Sequence, residues 1–360
     1  MHILILGGSP TNPGGVEAFC ARAEEALLSR NPDARIERIS TATAFLSLRR
    51  LPGFLGGLAR LVEYRRHRPT IVWLQYVNLP DLAYLILARM LGLRVMVTPH
   101  LGMNWRSQRN RFLRSLSERI LRGASRIALI SRTQELEIKL PERVPRSLIR
   151  NFLSKELLAS ELVVPPSVSA PLELVHSGRL SVGKGSLLVL EVCDRLKRDG
   201  VRFRARITGT ADEETRSAME EMIRSMDLAG HVELLGRVPE DELLDVLHGS
   251  DVLIHLSKID SYPLIVLEGL ACAVYPICLE LAGARDMVET YDGFVASPED
   301  PVAQVAAFLK AQTPEDLRSR ARAAAVEVRT DYDWSAAADA LERAVAAATD
   351  NKGALRVQGI

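Results

Sequence analysis

The chain has 360 residues, 47% hydrophobic and 25% charged; this globular composition excludes a disordered, collagenous or coiled-coil chain, and at roughly 150 residues per domain it suggests two domains. Its 46 basic and 45 acidic residues nearly cancel, yet residues 1–150 hold 24 basic and 11 acidic (net +13) and residues 151–360 hold 22 and 34 (net −12). A basic half of this kind points to a polyanionic partner, a membrane surface or a nucleic acid.

Met1-His2 leads straight into Ile3-Leu4-Ile5-Leu6 with no basic region before it, so no secretory signal is expected. That apolar run ends in glycines, as a buried parallel strand does. Val16 to Ser29 carries apolar residues at helical spacing, at Phe19, Cys20, Ala23, Ala26 and Leu27. Strands are predicted at 70–75, 94–98 and 125–130, with helices at 81–91 and 110–121 between them. No apolar stretch reaches the ~20 residues that span a bilayer. Around 159–171 the texture becomes Pro/Ser-rich, as in Val163-Val164-Pro165-Pro166-Ser167, which suits a linker. Strand–helix alternation then restarts. Strands are predicted at 172–176, 203–208, 232–235, 252–254, 275–278 and 293–295, helices at 186–199 and 213–226, and two closing helices over 314–350. The expected class is α/β: two Rossmann-like domains with parallel sheets facing a cleft. The domains are placed at 1–160 and 173–330, with a linker at 161–172 and a last helix at 331–350 that packs back on the first domain. The four cysteines, Cys20, Cys193, Cys272 and Cys278, form no CxxC pair, so they read as buried thiols in a reducing cytoplasm.

Five features carry chemistry. Gly7-Gly8 and Gly14-Gly15 lie between the first strand and first helix, where backbone amides approach a phosphate or simply make a tight turn. The segment is neither GxGxxG nor a P-loop. His100 follows a strand, placed to meet a ligand hydroxyl or to serve as a structural histidine. In Ser177-Gly178-Arg179-Leu180-Ser181-Val182-Gly183-Lys184-Gly185 two cations share a glycine-rich loop before a helix, which makes a pyrophosphate site without a metal. Gly209-Thr210-Ala211 follows another strand and is either a ligand-facing or an ordinary turn. Finally, Asp260 and Glu268 put two carboxylates along one ligand, one near a sugar ring and one near a ribose diol. Glu268 sits among Leu264, Ile265, Val266, Leu267 and Leu270, so it is buried for a ligand or faces solvent.

With these motifs in this order, residues 2–345 resemble the retaining GT-B glycosyltransferases of glycosyltransferase family 4. The most specific parts are Arg179–Gly185 and Asp260–Ala271; Asp251–Ser257, Ala282–Asp286 and Asp333-Trp334 are smaller echoes. The first acid of the family's Glu-x7-Glu is Asp260 here, and its Phe-Gly is Tyr262-Pro263. The resemblance implies that Arg179 and Lys184 hold the donor diphosphate and that Glu268 accepts the ribose hydroxyls. It implies that Asp260 meets a hydroxyl of the transferred sugar and that the amides of Leu264 and Ile265 touch the sugar or phosphate. Tyr262, Pro263, Gly178 and Gly209 join the donor site, Gly236-Arg237-Val238 meets the base, Gly14-Gly15 covers the phosphates and His100 contacts the donor sugar. No metal and no cofactor is implied; the substrate is a nucleotide-sugar, UDP- or GDP-linked.

The basic stretches 46–68 and 105–126 interleave Arg with Leu and Phe and suit amphipathic helices on an anionic membrane. The expected acceptor is therefore a saccharide, membrane-proximal or lipid-linked, and the expected place is the cytoplasm, peripheral at the inner face of the plasma membrane. The arginines lack interleaved stacking aromatics and no nucleic-acid motif occurs, so nucleic acid is not an expected partner. A catalytically impaired nucleotide-sugar-binding scaffold, or a nucleotide-sugar epimerase on the same fold, are the alternatives.

Overall fold

The computed structural model describes residues 1–8, 14–41, 43, 51–67, 69–162, 171–260 and 262–350. Residues 9–13 of the first glycine loop, 46–50 and Arg68 of the first basic stretch, Pro/Ser residues 163–170, Ser261 and the tail 351–360 lie outside these. The chain divides into two compact units: Met1–Phe152 with Trp334–Ile360, and Leu153–Asp333.

The first unit is built on six parallel strands, β1 (His2–Leu6), β2 (Arg35–Ile39), β3 (Ile71–Tyr76), β4 (Val95–Pro99), β5 (Arg126–Leu129) and β6 (Arg146–Leu148). Their order across the sheet is β2-β1-β3-β4-β5-β6. Every residue of β3 is buried, as a strand with helices on both faces must be. The helices include α1 (Gly15–Arg30), α2 (Leu51–Tyr64), α3 (Leu82–Met90), α4 (Arg106–Arg109) and α5 (Arg111–Leu121). The second basic stretch is broken at Asn110, whose Oδ1 accepts the amides of Phe112 at 3.0 Å and Leu113 at 3.1 Å. That N-cap starts α5 afresh rather than letting one helix run through. The last helix, α15 (Trp334–Thr349), belongs to this unit. Asp339 pairs with Arg30 of α1 at 2.6 Å, and Trp334 packs on Phe152 at 5.3 Å between rings.

The short α6 (Gln134–Glu137) lies between β5 and β6 of the first unit, and the second unit opens with α7 (Lys155–Ala159). Leu153 and Leu157 are part of its core, so the chain enters this unit at Leu153 and not at 160. Its parallel strands are β7 (Leu172–Ser177), β8 (Phe203–Thr208), β9 (Val232–Gly236), β10 (Val252–His255), β11 (Tyr275–Leu279) and β12 (Phe294–Ala296). They are ordered β12-β11-β10-β7-β8-β9, so chain direction across the sheet reverses between β7 and β10. Side chains alternate between two cores, with Leu174, Val252, Ile254 and Ile277 in one and Val175, Leu253 and Cys278 in the other, as the period of two requires. Its helices continue as α8 (Ser186–Arg198), α9 (Glu213–Ser225), α10 (Glu240–His248), α11 (Leu264–Ala271), α12 (Ala282–Thr290), α13 (Pro301–Ala311) and α14 (Pro314–Asp331), of which α8, α11 and α14 concern the site. All four cysteines are buried free thiols.

Candidate functional site

In an open α/β sheet, ligands bind beyond the carboxyl ends of the strands where the strand order reverses. In the second unit those ends are Ser177 of β7 and His255 of β10. The loop after β7 carries Arg179 and Lys184 into α8, and the loop after β10 carries Asp260 toward α11. The two loops are laced together, Lys258 N–H donating to Gly183 O at 2.9 Å.

Glycines make this approach possible. Gly185, at φ +74°, precedes α8, and a Cβ there would lie 2.1 Å from Leu256 O. Gly209, at φ +139°, brings the loop after β8 so close to the β7 loop that a Cβ would lie 1.6 Å from Gly178 O. Gly178 N–H donates to Thr208 O at 3.1 Å, and Gly209 N–H to Gly236 O at 2.7 Å. Gly178, Gly209 and Gly236 therefore meet at the carboxyl ends of β7, β8 and β9. Arg237 is exposed and Val238 half-buried just beyond, at the sheet edge.

His176 in β7 ties the base of the loop. Its Nδ1 donates to Ile254 O at 2.8 Å, since a carbonyl only accepts. Its Nε2 is then the acceptor for the Ser186 hydroxyl at 3.0 Å, and Ser186 Oγ in turn accepts Ser181 N–H at 3.1 Å. Burial lowers the pKa of His176 to about 4, so the ring is neutral. No sequence signal marked His176, because its partners come from β10 and from α8.

Lys184 Nζ donates to Asp260 Oδ1, and His255 Nε2 lies 2.9 Å from Asp260 Oδ2. Burial would raise the pKa of Asp260, but the Lys184 ammonium and the His255 contact outweigh it and hold the carboxyl well below the ordinary range. Asp260 N–H also donates to Ser257 Oγ at 3.2 Å. Arg179 is exposed at the start of the same loop.

Glu268 lies in α11 at 8% exposure. The solvated-face reading of this residue therefore does not hold; it is a buried carboxylate on an apolar helix. Pro263 occupies the N-cap of α11, and Leu264 and Ile265 are its first helical residues, whose amides have no partner within the helix. The Tyr262 hydroxyl is hydrogen-bonded to the Tyr332 hydroxyl.

The first unit brings His100 to the carboxyl end of β4, beside those of β1 and β3. His100 Nε2 lies 2.8 Å from Gln75 Oε1, so Nε2 carries the hydrogen. Its ring packs edge-on against Phe19 at 5.1 Å, and burial lowers its pKa to about 3. Gln75 is fully buried, and among the described residues its Nε2 has no partner. Gln75 fits because Gly7, at φ +132°, has no Cβ; one would lie 2.6 Å from Gln75 Cβ. Gly14, in contrast, has extended backbone and no described residue within 4 Å of where its Cβ would stand, and Gly15 is exposed at the start of α1. The glycines that the backbone requires here are Gly7 and Gly8, not Gly14 and Gly15.

Residues 164–328 match the family described as glycosyl transferases group 1, and residues 14–150 match the glycosyl transferase 4-like domain. The chain belongs to this glycosyltransferase family. WcaL of Escherichia coli (strain K12), named as a colanic acid biosynthesis glycosyltransferase, is 29% identical over 157 residues, 41% of this chain and 38% of that one. The D-inositol 3-phosphate glycosyltransferase of Corynebacterium diphtheriae is 28% identical over 170 residues, 46% and 40% of the two chains. The chain thus matches less than half the length of each of these relatives. HepE of Anabaena, solved with UDP-glucose, superposes with a TM-score of 0.76 at 15% identity, over 96% of this chain and 99% of that one. At that identity the likeness is one of fold, and the fold of this family member is GT-B.

Proposed function

We propose that the chain transfers a hexose-type sugar, with retention and without a metal, from a nucleotide-diphosphate sugar to a saccharide acceptor that is membrane-proximal or lipid-linked. The observation that carries this reading is the meeting of Lys184 and Asp260 at the strand reversal of the second unit, beside Arg179 and the start of α8. Arg179 and Lys184 offset the charge that develops on the leaving diphosphate. As the C1–O bond to the diphosphate breaks, the acceptor oxygen bonds C1 from the same face and its proton passes to the leaving phosphate. Asp260 meets a sugar hydroxyl, and Glu268 the ribose hydroxyls. His100, as a neutral Nε2–H imidazole, offers an accepting Nδ1 to a hydroxyl. A UDP- or GDP-sugar is the donor, in keeping with the UDP-glucose bound by HepE.

The membrane part of the reading is supported by exposed apolar residues among arginines on adjacent helices. Leu55 and Val62 lie on α2, Met90 on α3 at 79% exposure and Phe112 on α5 at 74%. Arg60, Arg65, Arg66, Arg111 and Arg114 are exposed around them. Among the described residues no helix is long and apolar enough to cross a membrane, and peripheral binding at the inner face of the plasma membrane is the proposed mode. A thermal-shift screen against UDP-, GDP- and ADP-sugars tests the donor reading. Stabilisation by at least one is expected, and none by any would overturn it.

A further inference from the structure

His255 ends β10 at 3% exposure, and its ring reaches into the loop that follows its own strand. A carboxylate only accepts hydrogen bonds, so the His255 Nε2 that faces Asp260 Oδ2 carries a hydrogen. Among the described residues its buried Nδ1 has no partner. Nε2 is therefore the nitrogen that holds its hydrogen against the Asp260 carboxylate. The other oxygen of Asp260 faces Lys184, and the loop between His255 and Asp260 is pinned by Ser257 Oγ, which accepts the amides of Ile259 at 3.3 Å and Asp260 at 3.2 Å.

Both carboxylate oxygens of Asp260 are thus held before any donor arrives, one by a flexible lysine and one by a rigid ring anchored in the sheet. An aspartate reaches one methylene less far than a glutamate, so its carboxylate plane must be set from close by. We propose that His255 is the positioning residue of Asp260: its Nε2–H fixes the plane of the carboxylate, so that Oδ1 stays directed at Lys184 and at the sugar hydroxyl Asp260 is to meet. Lys184 alone cannot do this, because an ammonium follows the carboxylate wherever it turns. The inference rests on the donor-site reading of Asp260 and Lys184.

The test uses the full chain with the sugar nucleotide it turns over. His255→Leu removes the donor and keeps the bulk; it should lower kcat by about ten- to hundredfold, the scale of a misplaced catalytic group, with a much smaller change in the donor KM. His255→Gln, whose Nε2 amide can donate to the same oxygen, should recover most of that loss. In an Asp260→Ala background, His255→Leu should cost nothing further, since it acts through Asp260. Equal activity of His255→Leu and wild type, or additive losses with Asp260→Ala, would overturn the proposal. Long-range 1H–15N spectra of the imidazoles should show a hydrogen on Nε2 of His255, with its signal perturbed in Asp260→Asn. An Nε2 without a hydrogen would overturn it even if no donor is turned over, an outcome that would instead defeat the donor-site reading.

Discussion

Gly209→Ala should be the most damaging small substitution near the candidate donor site. The added Cβ would lie 1.6 Å from the carbonyl oxygen of Gly178 and 2.8 Å from its carbonyl carbon, and the backbone is at φ +139°. Holding alanine in that conformation costs about 1–3 kcal/mol. Moving the Gly178 carbonyl aside adds a further ~1–3 kcal/mol, the usual scale of overpacking. The displaced carbonyl belongs to the peptide that joins Gly178 to Arg179, so the damage should reach the loop that carries Arg179 and Lys184. Two companions grade the effect. Gly178→Ala, at φ +148° but with nothing within 4 Å, carries the backbone strain alone; Gly230→Ala has ordinary backbone and open space and should stay within about 0.5 kcal/mol of wild type. Urea unfolding followed by circular dichroism gives the order of stability, and hydrogen exchange places the loss. Exchange should rise at the ends of β7 and β8 in Gly209→Ala. If Gly209→Ala is as stable as Gly230→Ala, with unchanged exchange there, the close approach of the two loops is not real.

Glu268→Ala should leave the fold intact but raise the donor KM by about tenfold or more, as the loss of a charge-assisted hydrogen bond does; an unchanged KM would place Glu268 outside the donor site. Burial holds the pKa of His176 at about 4 against an ordinary 6.5, so the unfolded chain takes up its proton first as pH falls. The stability this residue gives is full above pH ~6.5 and erodes toward pH 4, by about 3 kcal/mol in all. Denaturation midpoints across that range should fall in wild type and fall less in His176→Asn. Liposome flotation should show binding to anionic vesicles that weakens with salt and in Phe112→Glu and Arg65→Ala/Arg66→Ala; no binding at low salt would remove the membrane surface from the proposal.

In the first sheet the strands that the sequence makes legible are the inner ones, β1, β3, β4 and β5. β3, Ile71–Tyr76, is apolar but for Gln75 because helices cover both sides. The two it hides, β2 and β6, are the edges of their sheet. β2 reads Arg-Ile-Glu-Arg-Ile and β6 Arg-Ser-Leu, since edge strands carry charge and stay short. At the site, Arg179, Lys184 and Asp260 are legible because cations and glycines coincide just past a strand. Glu268 is legible because a carboxylate is costly on an apolar helix. His255, His176 and Gln75 are not, since each sits inside a strand pattern. Their roles depend on which strands are neighbours: His176 needs Ile254 of β10, and Gln75 needs His100 after β4. Asn110 shows a local signal that a charge count overlooks, a helix cap in the middle of a basic stretch.

Release of nucleoside diphosphate from UDP- and GDP-sugars, in the presence of a saccharide or lipid-linked saccharide acceptor, bears most directly on the proposed activity. Wild type should release it from at least one donor, and Arg179→Ala and Lys184→Ala should each reduce the rate by at least about a hundredfold, as removal of a group that stabilises the leaving charge does. No release from any donor, or near-normal rates in both variants, would contradict it.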